Sequence, residues 1–598
     1  MPPDSIPPIP DPEAVDTAEA GQDPDSVYPL PQLVAFGRRA ASDPAHGRWV
    51  WDHDALLASG AFSLADLLDR VPGMASVRAG AYGMPQAVTA FGLTGGRIEL
   101  VLDGFPLDPL GAAAVDLAQF PLHALDRVRI ERRAGGLHIH VTTLAPHDNR
   151  PYSRVEAARG DRLAVDLFRG LFLAPEMLGG RVSLGIERLN TAGRLRAEPA
   201  TLFAGWFKWG IVRDDSSGVQ LEYRRDRLTR ERAPYPGEAT REDWVLRART
   251  RPASGITTEA YAGISSLEQA LPEGYTDGGV GAPGGSAVPT VAATPGTIRA
   301  LQGGVRARYD SDRYWSGAAL RLRDHPALPA FELGLDGGLR LPGRLLLEGD
   351  LRAAAWSNGD PTTSYALRSL WSPLNGVNAF AELARGGIGV PFARARIDTP
   401  LAPDTAGAPG VDTRNALRAG LRFERGRFGL GVAGVSIDVD SVRTLGLPYE
   451  GTPRWLPGGE VHGLEADLRL PLFWDPLALE ASYSEWLRGE AWPYLPERTA
   501  RAALAFHDIP LESGNLEIIA RFEGHHRGPV LMPDPADDRS VRVPQRTLFD
   551  FYLQIRIMTV RAFARWENIF HRTDVLDAPG RPFPGQRFIY GVKWEFWN

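Results

Sequence analysis

The sequence predicts an all-β membrane protein: about 22 antiparallel strands closed into a transmembrane β-barrel, preceded by a small α+β domain. Three observations predict it. Strand-like runs of about 9–14 residues with two-fold alternation recur from residue 151 to residue 598, a length suited to a tilted membrane strand. Their connections alternate between short turns and long loops, the rhythm of outer-membrane barrels. Although 43% of residues are hydrophobic, no apolar run reaches the roughly 18 residues a membrane helix needs.

Residues 1–45 are rich in Pro, Asp and Ala and read as an extended, flexible segment. Its start, "MPPDSIPPIPDPEAVD", has neither a basic nor an apolar signal region, which leaves a cytosolic protein or a mature chain behind an added Met1, and the barrel pattern that follows favours the second. One apolar island interrupts it, "SVYPLPQLVAFG" at 26–37. Residues 46–148 form a compact mixed domain. In it "SLADLLDRVPGM" predicts a short helix, with Ser63 as N-cap and Val71-Pro72-Gly73 as its stop. "RIELVLDG", "DRVRIERR" and "LHIHVTT" predict strands.

Residues 149–598 are the barrel. In "TLFDFYLQIRIM", Phe549, Phe551, Leu553, Ile555 and Ile557 share one face, and Asp550, Tyr552, Gln554 and Arg556 the other. In the final "RFIYGVKWEFWN", Phe588, Tyr590, Val592, Trp594 and Phe596 oppose Lys593 and Glu595. Lipid is the expected cover for the aromatic face, and the lumen for the charges. Short connections include "DDSSG", "RPASG", "DSDR", "LPGR", "RGR" and "MT", and long ones span about 268–296, 389–412 and 441–459. An even strand count brings the last strand back to the periplasmic side. A soluble propeller would show a fixed period of about 40–50 residues with a recurring motif, and none is visible.

Net charge is −7 with no basic tract, which excludes nucleic acid as a partner, and there are no cysteines for disulfides or thiolate chemistry. "GLGVAG" at 429–434 matches a dinucleotide pattern but lies inside an alternating strand with no helix after it. His138 and His140 share a strand face without a third metal ligand nearby. No nucleophile elbow, metalloprotease helix or P-loop is present. No catalytic residue, cofactor or metal site is expected, and the chain does not read as an enzyme.

Three stretches then carry a family resemblance. Leu67, Leu68, Pro72 and Gly73, then Asp103, Gly104 and Pro106, then Pro121, Leu122, Arg127, Val128, Ile130 and Glu131 resemble the plug domain of TonB-dependent outer-membrane receptors. Asn568, Ile569 and Phe570 in "WENIFHR", with the final "PGRPFPGQRFIYGVKWEF", resemble the end of the same family's barrel. Two departures stand out. Phe91-Gly92 occupies the place of the family's Arg-Gly, and "RIERR" runs straight into "AGGLHIHVTT", so the plug is shortened by about a dozen residues relative to the family pattern. The resemblance implies a plug folded into the barrel lumen and a bacterial outer-membrane location. It also implies energy-coupled import of a scarce ligand such as an iron chelate, and a periplasmic TonB-like transducer as partner. A passive channel with a reduced plug, or a structural or partner-binding barrel, are the alternatives.

Candidate ligand-binding residues are aromatic and imidazole groups in the predicted outer loops: Tyr235, Tyr275, Trp455, Trp492, Tyr494, His525 and His526. Aromatic rings at a mouth can stack on planar ligands. For the transducer, the apolar island would pair as an added strand, with Val27, Leu33 and Val34 as contacts. Pro29 and Pro31 oppose this, because proline cannot donate to a ladder.

Overall fold

Twenty-two strands close into one antiparallel barrel. The structure, a computed structural model, describes residues 27–31, 33, 42–93, 96–161, 165–192, 199–215, 217–231, 237–270, 296–325, 328–357, 359–389, 411–447, 450, 455–489, 492–534 and 540–597. The seam joins the first barrel strand, Tyr152–Gly160, to the last, Arg587–Trp597, with Ile589 opposite Gly160 and Trp597 opposite Tyr152. Closure leaves no unpaired edge in the barrel wall, which is what an apolar surround demands of every main-chain N–H and C=O.

Alternation sets the facing. In the last strand Tyr590, Val592 and Trp594 are exposed outward, while Ile589, Lys593 and Glu595 are buried inward. The same rule exposes Leu367, Leu421 and Leu430 on the outer surface and buries Glu222, Arg224, Glu465 and Gln554 inside. The "GLGVAG" stretch lies within the strand Phe428–Arg443. Among the described residues, five two-residue connections gather at one end of the barrel: 178–179, 254–255, 375–376, 426–427 and 558–559. Trp597 lies at that end too.

Inside sits the amino-terminal domain. Its elements are β1 (Arg48–Trp51), α1 (His53–Ala58), α2 (Leu64–Leu68), β2 (Met74–Arg78), β3 (Gln86–Ala90), β4 (Ile98–Leu102), β5 (Phe105–Pro106), β6 (Leu125–Arg132) and β7 (Leu137–Thr143). Ser63 caps α2 as its position predicts, and Asp66 completes a capping box by accepting from the Ser63 N–H. One sheet runs in the order β1-β6-β7-β4-β5, with β7 and β4 parallel, and β2 and β3 form a separate hairpin. The sequence reading located α2, β4, β6 and β7 but not β1, α1 or the β2–β3 hairpin. Those three are short, and their residues are ordered by what covers them rather than by propensity.

The domain's core of Leu64, Leu67, Leu68, Val77, Leu93, Ile130 and Ile139 continues without a break into inward-facing barrel residues such as Val245, Ile437, Tyr552 and Phe563. Phe91 adopts a left-handed backbone, φ 53°, a conformation costing a non-glycine residue about 1–2 kcal/mol. Its ring offsets that cost by packing between the Arg132 guanidinium, 4.4 Å from its centroid, and the edge of Trp486. Gly92, at φ 62°, lies against Trp492 so closely that a Cβ would strike the indole.

The outward assignment makes a measurable claim. Leu367→Arg, on the outer face halfway along Gly359–Leu374, should destabilise the barrel by about 2–4 kcal/mol in denaturant titrations from lipid. Ala354→Arg, on the inner face beside a cavity, should cost much less; equal losses would contradict the facing.

Candidate functional site

The site is the gap between the inner domain and the wall. Strands place charged residues on the inner barrel face every second position, and the inner domain answers with carboxylates and arginines of its own. Arg132 at the end of β6 is 2% exposed. Its Nη2 donates to Glu465 Oε2 at 3.1 Å and its Nη1 reaches Oε1. Arg418 on the wall donates to the same Glu465 at 3.0 Å. Asp66 in α2 takes Arg565 from the wall at 3.1 Å and Arg78 from β2 at 3.0 Å. The Tyr82 hydroxyl donates to Glu567 at 2.5 Å, under the Arg587 guanidinium. Asp103, at φ 47° in the tight β4–β5 turn, accepts Lys208 Nζ at 2.6 Å and the Thr143 N–H at 3.0 Å. Glu99 on β4 faces Arg321 at 3.0 Å, with His138 of β7 at 3.0 Å behind it.

Burial alone would push these carboxyls up. The guanidinium groups of Arg565 and Arg78 outweigh it and hold Asp66 well below the usual carboxylate range. Burial is likewise outweighed at Glu99, by the His138 hydrogen bond and then by Arg321 and Arg352. His140 moves the other way for a base: burial, reinforced by Arg129, lowers it to about 3 and keeps it neutral. His138 and His140 stack at 6.5 Å, and among the described residues no group of three potential metal ligands forms.

Two of the cavities in the gap bear on the site. One, of about 150 Å³, lies towards the short-turn end and is lined by His140, Asp103, Lys208, Arg306 and Leu33. The other, of about 230 Å³, lies between β4 and the wall strands Tyr314–Asp324, Leu345–Trp356 and Gly359–Leu374. At the long-loop end, described residues cover part of the plug. The Leu445 carbonyl accepts from the N–H groups of Ala113 and Ala114, and the Tyr494 hydroxyl donates to Glu450 at 2.8 Å. Thr89 Oγ1 donates to the Tyr494 carbonyl at 3.3 Å.

The proposed ligand residues are dispersed by this geometry. Trp492 and Tyr494 do lie in a connection between strands, but each is only 1% exposed, sealed onto the inner domain rather than open to a ligand. Trp455 opens the strand Trp455–Pro471 and is not in a loop. His525 and His526 also lie within a strand, Leu516–Arg527, because the ladder to the next strand continues as far as Arg527 opposite Arg546. His525 points inward, 3.6 Å from Asp550, and His526 meets Thr547 Oγ1 at 2.8 Å. Two adjacent imidazoles break the apolar rhythm without breaking the hydrogen bonds. Tyr235 and Tyr275 lie outside the described residues.

In the amino-terminal segment Val27 is exposed, Leu33 borders the smaller cavity, and Val34 lies outside the described residues. Pro29 bridges Asp148 because its neighbours supply the main-chain bonds: the Leu30 N–H donates to the His147 carbonyl at 2.8 Å. Sequence reasoning missed Arg132, Glu465, Arg418, Glu99, Arg321 and Arg565. The alternation marked the wall residues as inward, but nothing local tells which charge meets which.

A family model described as the TonB-dependent receptor plug domain matches residues 41–138. The inner domain is a TonB-dependent receptor plug. The plug enclosed by a closed 22-strand barrel is the architecture of TonB-dependent receptors. Solved structures share that fold at low identity. The siderophore receptor PirA of Acinetobacter baumannii superposes with a TM-score of 0.69 at 12% identity, covering 92% of this chain and 98% of that one. The ferric enterobactin receptor of Pseudomonas aeruginosa, in complex with enterobactin, gives 0.70 at 14%, covering 93% and 100%. The copper transporter OprC gives 0.71 at 14%, covering 95% and 100%. No curated protein matches the chain by sequence. In the plug the β6–β7 hairpin turns over only residues 133–136.

Glu465→Ala should leave Arg132 and Arg418 buried without their shared partner and lower stability by about 3–5 kcal/mol in denaturant unfolding. A loss under about 1 kcal/mol would mean the three groups do not meet.

Acid should loosen the plug. Because His140 is depressed from 6.5 to about 3, the unfolded chain binds a proton in that window that the folded plug does not, so stability falls as pH drops from 6.5 towards 3. Asp66 and Glu99, also depressed, add a loss below the ordinary carboxylate range of about 4. Protease susceptibility of the plug should therefore rise between about pH 6.5 and pH 4, and His140→Gln should flatten that rise; an unchanged profile in the variant would remove His140 from the account.

Proposed function

We propose that this protein is an outer-membrane receptor that imports a scarce extracellular ligand, an iron chelate being the representative class, by energy-coupled movement of its plug. One observation carries the reading: a plug domain enclosed in a closed barrel and joined to its wall by many ion pairs as well as by its apolar core. Family and similar structures are receptors and a transporter, so the protein is read as non-enzymatic. In this reading the long-loop end faces outward and the short-turn end, with the amino-terminal segment, faces the periplasm. The roof formed by Leu445, Trp492 and Tyr494 covers one side of the plug apex, and the 230 Å³ cavity offers the ligand the other side. The segment around Leu33 is where a periplasmic transducer of the TonB type pairs by strand addition. Its bridge to Asp148 is weak enough to exchange.

The test is uptake of a panel of iron chelates by cells with energised and de-energised inner membranes, with surface binding measured in parallel. Val34→Pro, which removes one main-chain donor, should lower uptake and leave binding intact. Uptake that survives deletion of residues 1–40 would replace active import with passive flow.

A further inference from the structure

We propose that Glu99 occupies an anion site on the barrel wall, and that a small polycarboxylate takes this site by displacing it. Glu99, on β4, and Asp108, after β5, are plug carboxylates that line the larger cavity. Glu99 Oε1 accepts from Arg321 Nη2 at 3.0 Å, and Glu99 Oε2 lies 3.0 Å from His138 Nδ1 and 3.5 Å from Arg352 Nη1. The last distance is an ion pair but too long for a hydrogen bond. Among the described residues Arg352 has its ion pair there, and its side chain stays 41% exposed to the cavity. A guanidinium carries five donors in a fork shaped for a carboxylate, so much of this one is uncommitted.

The neighbourhood supplies further donors, and its other carboxylates, Asp108, Glu332, Asp350 and Glu382, are themselves paired with arginines. Glu332 pairs with Arg321 at 3.6 Å and Arg323 at 3.1 Å, Asp108 with Arg323 at 3.1 Å, and Asp350 and Glu382 with Arg368. Ser364 lies opposite Arg352 on the adjacent strand, and Thr362 opposite Ala354. Two residues further along the same inner face, Trp356 lines the cavity with an indole N–H that is buried and, among the described residues, has no hydrogen-bond partner. Arg368, also on the cavity, is already satisfied by Asp350 at 2.8 Å. The cavity is smaller than the roughly 300–1,000 Å³ of sites for drug-sized ligands, so the occupant is small. It is a carboxylate because the group now held there is one.

An arriving ligand meets Trp356 and Arg352 first, then competes with Glu99 for Arg321. A carboxylate seated there frees Glu99, and β4 loses its Glu99 ion pairs to the wall. Ligand binding and loosening of the plug are then linked, and linkage is reciprocal: removing the Glu99 charge must strengthen ligand binding. The inference rests on the receptor reading only for the side from which ligand arrives.

The experiment is calorimetric titration of the purified full-length protein in detergent with tricarballylate, with acetate and inorganic phosphate as comparison probes. Glu99→Gln should bind tricarballylate at least about ten-fold more tightly than wild type, and Arg352→Gln at least about ten-fold more weakly, a tenfold change being the size of one lost charge-assisted contact. Each variant is first checked for heat-modifiable migration as a folded barrel. If Glu99→Gln does not fold, Glu99→Asp, which withdraws the carboxylate by one methylene, should also tighten binding. No measurable binding, binding indifferent to Arg352, or Glu99→Gln equal to or weaker than wild type overturns the proposal. Phosphate binding as tight as tricarballylate overturns the carboxylate assignment. Because no membrane energisation is involved, binding without uptake would count against import alone, and uptake without this binding against the site alone.

Discussion

Everything in this molecule follows from charge pairing across the plug–wall gap. A barrel of 22 strands is too wide for its own side chains to fill, and its inner face is polar because the outer face must not be. A buried charge left alone costs several kcal/mol, so whatever fills the lumen has to bring counter-charges to the right heights. Arg132 meeting Glu465 and Arg418, Asp66 meeting Arg565, and Asp103 meeting Lys208 are that requirement satisfied.

This kind of interface differs from an apolar core in what it allows. Buried ion pairs add little net stability over well-packed hydrophobic residues, but each partner can be exchanged for another charge or for water. The plug does have an apolar core, and that core runs into the wall near Tyr552, Phe563 and Ile589. The opposite side, around Glu99, Arg321 and Arg352, holds a cavity and longer contacts. Ion pairs occur on both flanks, Asp66 with Arg565 on the first and Glu99 with Arg321 on the second, but the second also borders the 230 Å³ cavity. A cavity on one flank gives movement a preferred side.

Much of the fold was legible in the chain. The alternation in "TLFDFYLQIRIM" set its facing, and Ser63 marked the start of α2. The end motif around Asn568 is also explained: its side-chain amide donates to the Arg572 and Pro584 carbonyls, closing the connection before the last strand. The site was far less legible. Trp492 and Tyr494 were expected to face a ligand because a loop with aromatic rings reads as a mouth; they are buried because the loop turns inward over Gly92. His525 and His526 were expected in a loop because their polarity interrupts the pattern, although the strand ladder continues through them.

The sequence alone determined the class of structure, its two-part order and which wall residues face lipid. Those depend on local period, turn chemistry and the length a bilayer demands, all written in consecutive residues. Only the tertiary structure decided that Arg132 meets Glu465, 333 positions away, that Tyr494 seals rather than opens, and that Arg352 faces a cavity. Coulomb interactions act through space, and many of the chain's 66 Lys and Arg and 73 Asp and Glu residues could satisfy one another in the lumen until closure of the barrel around the plug selects the pairs.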